Sequence, residues 1–142
     1  MVLANFNIRV HYEQPRDVNV VVYDNVQGLR IAATRYDNRH KSRKRRSRGA
    51  YSRTLGVCHR FELLGDKGES LPLCAIVRLA EPNLGVGIVS HEMAHAALWV
   101  YELAENKPLV CDSDEPFAWV LGELVRQAIN KMTEHGIYER ET

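Results

Sequence analysis

Two histidines and a glutamate are set into the apolar stretch Ile88-Val89-Ser90-His91-Glu92-Met93-Ala94-His95-Ala96-Ala97. On a helix of about 3.6 residues per turn, His91 and His95 are i and i+4, so both imidazoles leave one face a turn apart and can share one metal ion. Glu92 points about a quarter turn away. From there its carboxylate is poorly placed to be a ligand but can reach a water beside the metal and take its proton. Residues 88–100 carry no other charge and no proline. Two imidazoles and a carboxylate on so apolar a helix are costly to bury without partners, and a metal would supply one.

A three-ligand site needs another donor, and Asp112-Ser113-Asp114-Glu115-Pro116-Phe117-Ala118-Trp119 offers one. Ser113 or Asp114 is suited to an N-cap and Pro116 to a first turn, while Phe117, Leu121, Leu124, Val125 and Ala128 have helical spacing. Glu115 then opens a second helix, and the small Ala118 and Gly122 on its face are expected to let that helix pack closely on the first. Cys111, Asp112, Asp114 and His135 compete as donors. A cysteine ligand belongs to a structural site, whereas two histidines and a glutamate with an open fourth position are a catalytic pattern, which favours Glu115.

His91-Glu92-x-x-His95, followed some twenty residues later by Asp114-Glu115-Pro116-Phe117-Ala118, resembles the zincin metallopeptidases of the gluzincin branch, whose third ligand is a glutamate in an N-E-x-F-A-like sequence on the next helix. Residues 73–132 carry the resemblance, and the small size of the chain is similar to phage-encoded zincin-like proteins. Pro116 and Asp114 depart from the usual residues without removing a ligand. The resemblance implies Zn2+ held by His91, His95 and Glu115, Glu92 as general base, and hydrolysis of a peptide bond. It further implies that the strand before the active helix, residues 74–79, is the sheet edge where an extended peptide adds itself by main-chain hydrogen bonds. Tyr101, Tyr138 and His135 are candidates by chemistry alone for stabilising the oxyanion.

The elements that must position this site read as α+β: a small zincin-like domain, with a twisted sheet packed on the active-site helix and a second, zinc-ligand helix. Strands are expected over residues 6–12, 18–23, 29–33, 54–64 and 71–79, from alternation and β-branched runs between turn residues. The active helix is expected over 84–104 and the second from Glu115 to about residue 134, with Gly136 as its stop. Trp99 and Trp119 read as core or helix contacts, and His11 as part of a strand face.

The chain has 142 residues, 45% of them hydrophobic, which suits a single domain over 1–142 with one core. No apolar run has membrane-spanning length and no targeting pattern precedes the domain, so the expected partners exclude membrane and the expected location is cytoplasmic. Cys58, Cys74 and Cys111 are odd in number and widely spaced, which argues against a disulfide framework.

Residues 39–53 form the other distinctive segment. They hold Arg39, Lys41, Arg43, Lys44, Arg45, Arg46, Arg48 and Arg53 and no acid. Since the whole chain is only +1, the rest without these eight charges is −7. The segment reads as an exposed basic loop between strands, able to contact nucleic acid without sequence preference or an acidic protein. Tyr36 and Tyr51 are the aromatic residues near it that could stack on bases. Two function classes follow: a zinc metallopeptidase, with a single dedicated protein partner as one candidate substrate, and a non-catalytic, zinc-stabilised binding protein that works through the basic loop.

Overall fold

The structure, a computed structural model, describes residues 1–40, 51–109 and 114–138. Strands β1 (Val2–Tyr12), β2 (Gln14–Tyr23), β3 (Gly56–Arg60) and β4 (Leu73–Ala80) join in one mixed sheet of order β1-β2-β4-β3. β1 pairs antiparallel with β2, β2 parallel with β4, and β4 antiparallel with β3. Helices α1 (Val26–His40), α2 (Val86–Glu105) and α3 (Asp114–Glu134) complete the small α+β domain.

Alternation along the strands separates two cores. Val18, Val20 and Val22 of β2, with Val77 and Leu79 of β4, face Val89, Met93, Ala96, Ala97 and Val100 of α2 and Val120, Leu124, Ala128 and Met132 of α3. Val21, Tyr23, Val57 and Ala80 face the other way, against Leu29 and Ala33 of α1. The half of that second face under β1 is polar: Asn19 donates to Asn5 and Asn7, and Arg9 pairs with Asp17 at 2.6 Å.

Several expectations are corrected. Residues 29–33 are not a strand but lie in α1, because Asn25 Oδ1 accepts the Gly28 N–H at 2.8 Å as an N-terminal cap, and Leu29 and Ala33, four apart, are the positions that bury. The basic segment therefore connects a helix to a strand. Arg39 and His40 end α1, Tyr51 begins the turn before β3, and residues 41–50 lie outside the described part. β4 is an interior strand, with Cys74, Ala75, Val77, Leu79 and Ala80 buried; the edge near α2 is β3.

The two long helices begin and end close to expectation. α2 stops at Asn106, whose left-handed backbone (φ 54°) closes the last turn by donating its N–H to Glu102 O. Beyond α3, Gly136 has φ 70°, the conformation that glycine adopts at least cost. Ala118 is exposed and a Cβ at Gly122 would meet nothing within 4 Å, so the small-residue face of α3 is its open face; α3 packs instead through Val120, Leu124, Ala128 and Met132. Trp119 lies on the open side too, 53% exposed. Trp99 does pack, donating Nε1–H to Phe61 O at 2.9 Å. Among the described residues, no helix is long and apolar enough to cross a membrane.

Candidate active site

β3 runs beside the first half of α2, and the gap between them is a cleft of about 630 Å³. Tyr51, Thr54, Leu55, Gly56, Cys58 and Arg60 line one wall, and Gly87, Ile88, His91, Glu92 and His95 the other. The i, i+4 spacing does what it promised: the His91 and His95 rings stand 5.0 Å apart, edge to face. Neither imidazole has a hydrogen-bond partner among the described residues, and the His91 side chain is 67% exposed.

Glu92 is set differently. It is only 6% exposed, with Oε1 4.0 Å from His91 Nε2. Burial raises its carboxyl above the ordinary range, and His91 pulls it partly back. Its pocket exists because residue 56 has no side chain: a Cβ there would come within 2.9 Å of Glu92 Cγ and 3.2 Å of Oε1. His95 is held below the usual histidine range by burial, then by the charges of His91 and Arg60. Burial and the neighbouring Glu92 push the Cys58 thiol up to about 12, so at neutral pH it is a small apolar wall, not a thiolate.

The edge strand adds backbone groups. Phe61 N–H donates to Cys74 O at 3.0 Å and Arg60 is paired with Ala75, so the antiparallel alternation directs the N–H and C=O of Gly56, Cys58 and Arg60 away from β4. No strand takes them up among the described residues. The opposite edge of the sheet is capped. At Arg9 of β1, Gln127 accepts the backbone N–H at 3.0 Å and donates to the carbonyl at 2.7 Å.

His91, Glu92 and His95 are thus brought together, whereas Glu115 is exposed on the first turn of α3, directly after residues 110–113, which lie outside the described part with Cys111 and Asp112. Among the described residues, no three His, Cys, Asp or Glu side chains are gathered as a metal-binding group. The paired imidazoles fit two positions of a divalent ion, with Glu92 beside them rather than between them. The three oxyanion candidates lie elsewhere: Tyr101 is buried against Tyr12, Tyr138 packs on the main core, and His135 stacks on Phe6. They are aromatic or imidazole groups used in packing, and none lines the cleft.

Sequence reasoning missed Gly56, Cys58 and Arg60, although their alternate spacing in an expected strand was the available signal. It also missed a buried polar cluster behind β3. Arg78 donates Nε–H to His59 Nε2 at 3.1 Å and Nη1–H to Tyr23 OH at 2.7 Å; His59 Nδ1 lies 3.9 Å from Asp37, which accepts from Tyr51 OH. Tyr36 lies against His59, with ring centroids 4.0 Å apart. Tyr36 and Tyr51 thus take part in this cluster while remaining partly exposed. No protein-family model matches the chain, and no curated protein or solved structure is significantly similar to it, so its function has to be read from this geometry.

Proposed function

We propose that the protein is a zinc-dependent peptide hydrolase whose active site is the cleft between β3 and α2. The observation that carries this reading is the contrast within one turn of helix: a buried carboxylate, Glu92, beside two imidazoles that face a cleft and, among the described residues, make no hydrogen bond. A core helix with satisfied histidines would tie those rings down; a binding surface would have no use for Glu92.

His91 and His95 would hold the metal, and Glu115, which does not itself line the cleft, is the third ligand that the resemblance assigns. Zinc bound there would supply Lewis-acid polarisation of a carbonyl and would make water more acidic. Glu92 accepts the proton of the attacking water and delivers it to the leaving amine, its apolar surroundings bringing its basicity toward that task. The outward N–H and C=O groups of Gly56, Cys58 and Arg60 hold the peptide extended along β3, which fixes the scissile bond over Glu92. The test is peptide hydrolysis by the full-length chain with added zinc, compared with its Glu92→Gln variant. Activity in the first and none in the second supports the reading; equal activity in both refutes it.

The second reading, a zinc-stabilised binding protein, has one observation in its favour. Along α1, Arg30 and Arg35 line a second cavity of about 410 Å³ with Thr34 and Ser52, next to Tyr51, where the described chain resumes after the basic segment. That cationic surface is suited to a polyanion such as nucleic acid. Binding that falls steeply with salt, and that survives Glu92→Gln, would favour this reading if hydrolysis is absent.

A further inference from the structure

The cleft is chemically uneven along its length. At one end Leu55, 41% exposed, and Ile88 offer apolar surface. Glu92 stands at the level of Gly56, as the close approach of the two shows. At the other end Arg60 projects from β3 beside His95, its guanidinium carbon 5.9 Å from the centre of the Trp99 ring. Gly56 and Arg60 are four residues apart, roughly 13 Å along a strand.

Arg60 is the charged side chain of the cleft that the proposed reaction does not use. It is exposed, and among the described residues it forms no ion pair. Glu62 and Glu102 stand on the adjoining surface; Glu62 instead accepts from Ser70 Oγ at 3.0 Å. Stacking on Trp99 leaves the edge and donors of the guanidinium open while limiting its freedom, and a planar fork of N–H groups matches a carboxylate. Glutamine or serine there would make a peptide hydrogen bond equally well; an arginine adds a choice of charge.

We propose that Arg60 is a specificity-determining residue that seats a carboxylate of the bound peptide, some residues along from the bond over Glu92, with an apolar side chain received at the Leu55 and Ile88 end. The substrate class is an acidic peptide segment. This rests on the peptide-cleft reading above, but it concerns binding and is separable from the chemistry. The carboxylate can come from an aspartate or glutamate side chain or from a peptide's C-terminus.

The experiment is a fluorescence-anisotropy titration on the full-length Glu92→Gln chain, which leaves peptides intact. The probes are degenerate, labelled decapeptide pools fixed at one position as Glu, Gln or Lys, with amidated C-termini, and one matching pool with a free C-terminal carboxylate. At one or two neighbouring positions the Glu pool is expected to bind roughly fivefold tighter than the Gln pool, the effect of one half-exposed charge pair. Adding Arg60→Gln should erase that preference, and Arg60→Glu should turn it toward Lys. A gain confined to the free-acid pool, and lost with Arg60→Gln, assigns the C-terminus as the source. Equal binding of all pools, no peptide binding at all, or a preference that survives Arg60→Gln overturns the inference. Hydrolysis by the parent chain is assayed separately: cleavage without acidic preference removes this inference alone, and Arg60-dependent selection without cleavage removes the hydrolase reading alone.

Discussion

On the α1 side of the sheet, His59 is 6% exposed, accepts from Arg78 and faces Asp37 and Tyr36. On the α2 side, His91 and His95 meet each other and the cleft. The residue type is the same and the surroundings are opposite. A histidine whose ring is already hydrogen-bonded and packed contributes to stability; one kept free of partners adds little to it and remains available to a ligand. The backs of the two sites touch through β3: His59 belongs to one and Gly56, Cys58 and Arg60 to the other, while Val57 packs in the α1-side core and also borders the cleft.

That contrast can be broken or sharpened by substitution. The largest effect is expected at Glu92: Glu92→Gln should lower peptide hydrolysis by about a hundredfold or more, with zinc content and melting temperature close to the parent's, because it removes a proton acceptor and keeps the shape. Metal analysis and a rate assay on the same preparation check it. Gly56→Val should come next, since its side chain would occupy the space of Glu92 Cγ. A loss of about tenfold in rate with a stability cost of about 1 to 3 kcal/mol is expected, read from kinetics and urea unfolding. If the variant is as active as the parent, β3 does not position the carboxylate.

The two histidine settings then separate in stability. His59→Ala leaves the Arg78 Nε–H without its acceptor and opens a space under α1, for an expected cost of about 2 to 3 kcal/mol whether or not zinc is present. His91→Ala should change stability by about 0.5 kcal/mol or less in the presence of chelator, and should abolish the rise in melting temperature that zinc gives the parent. The comparison fails if chelator and zinc leave the parent's melting curve unmoved. On rate the smallest effect is expected at Tyr51: Tyr51→Phe removes the hydrogen bond to Asp37 and should cost about 1 kcal/mol in urea unfolding, between the two histidine values, with little change in hydrolysis.

Local pattern made much of this legible. The helical face that joins His91 to His95 needs only a period, and α2 and α3 follow from their periods, with Gly136 as the stop beyond α3. Where two periods compete, local pattern failed: residues 29–33 are short and apolar, and only the Asn25 cap and the burial of Leu29 and Ala33 make them helical. The sheet order was not legible, because which strand lies at an edge is decided by pairings far apart in the chain. For the same reason the wall formed by Gly56, Cys58 and Arg60 could not be connected to Glu92. Asp37, His59 and Arg78 come from three elements, and nothing in their spacing announces that they meet.

The amide of Gln127 seated on Arg9 determines how many strands the sheet can recruit. A sheet with two bare edges behaves as a bifunctional monomer: each addition leaves another reactive end, and growth into a fibre has no natural stop. With β1 met by a side chain at Arg9, addition of a further strand along that edge is obstructed. A strand that joins at β3, whether a peptide or a second copy of the chain, then leaves only the obstructed edge for further addition, so the edge that is open among the described residues can stand beside the cleft without seeding polymerisation.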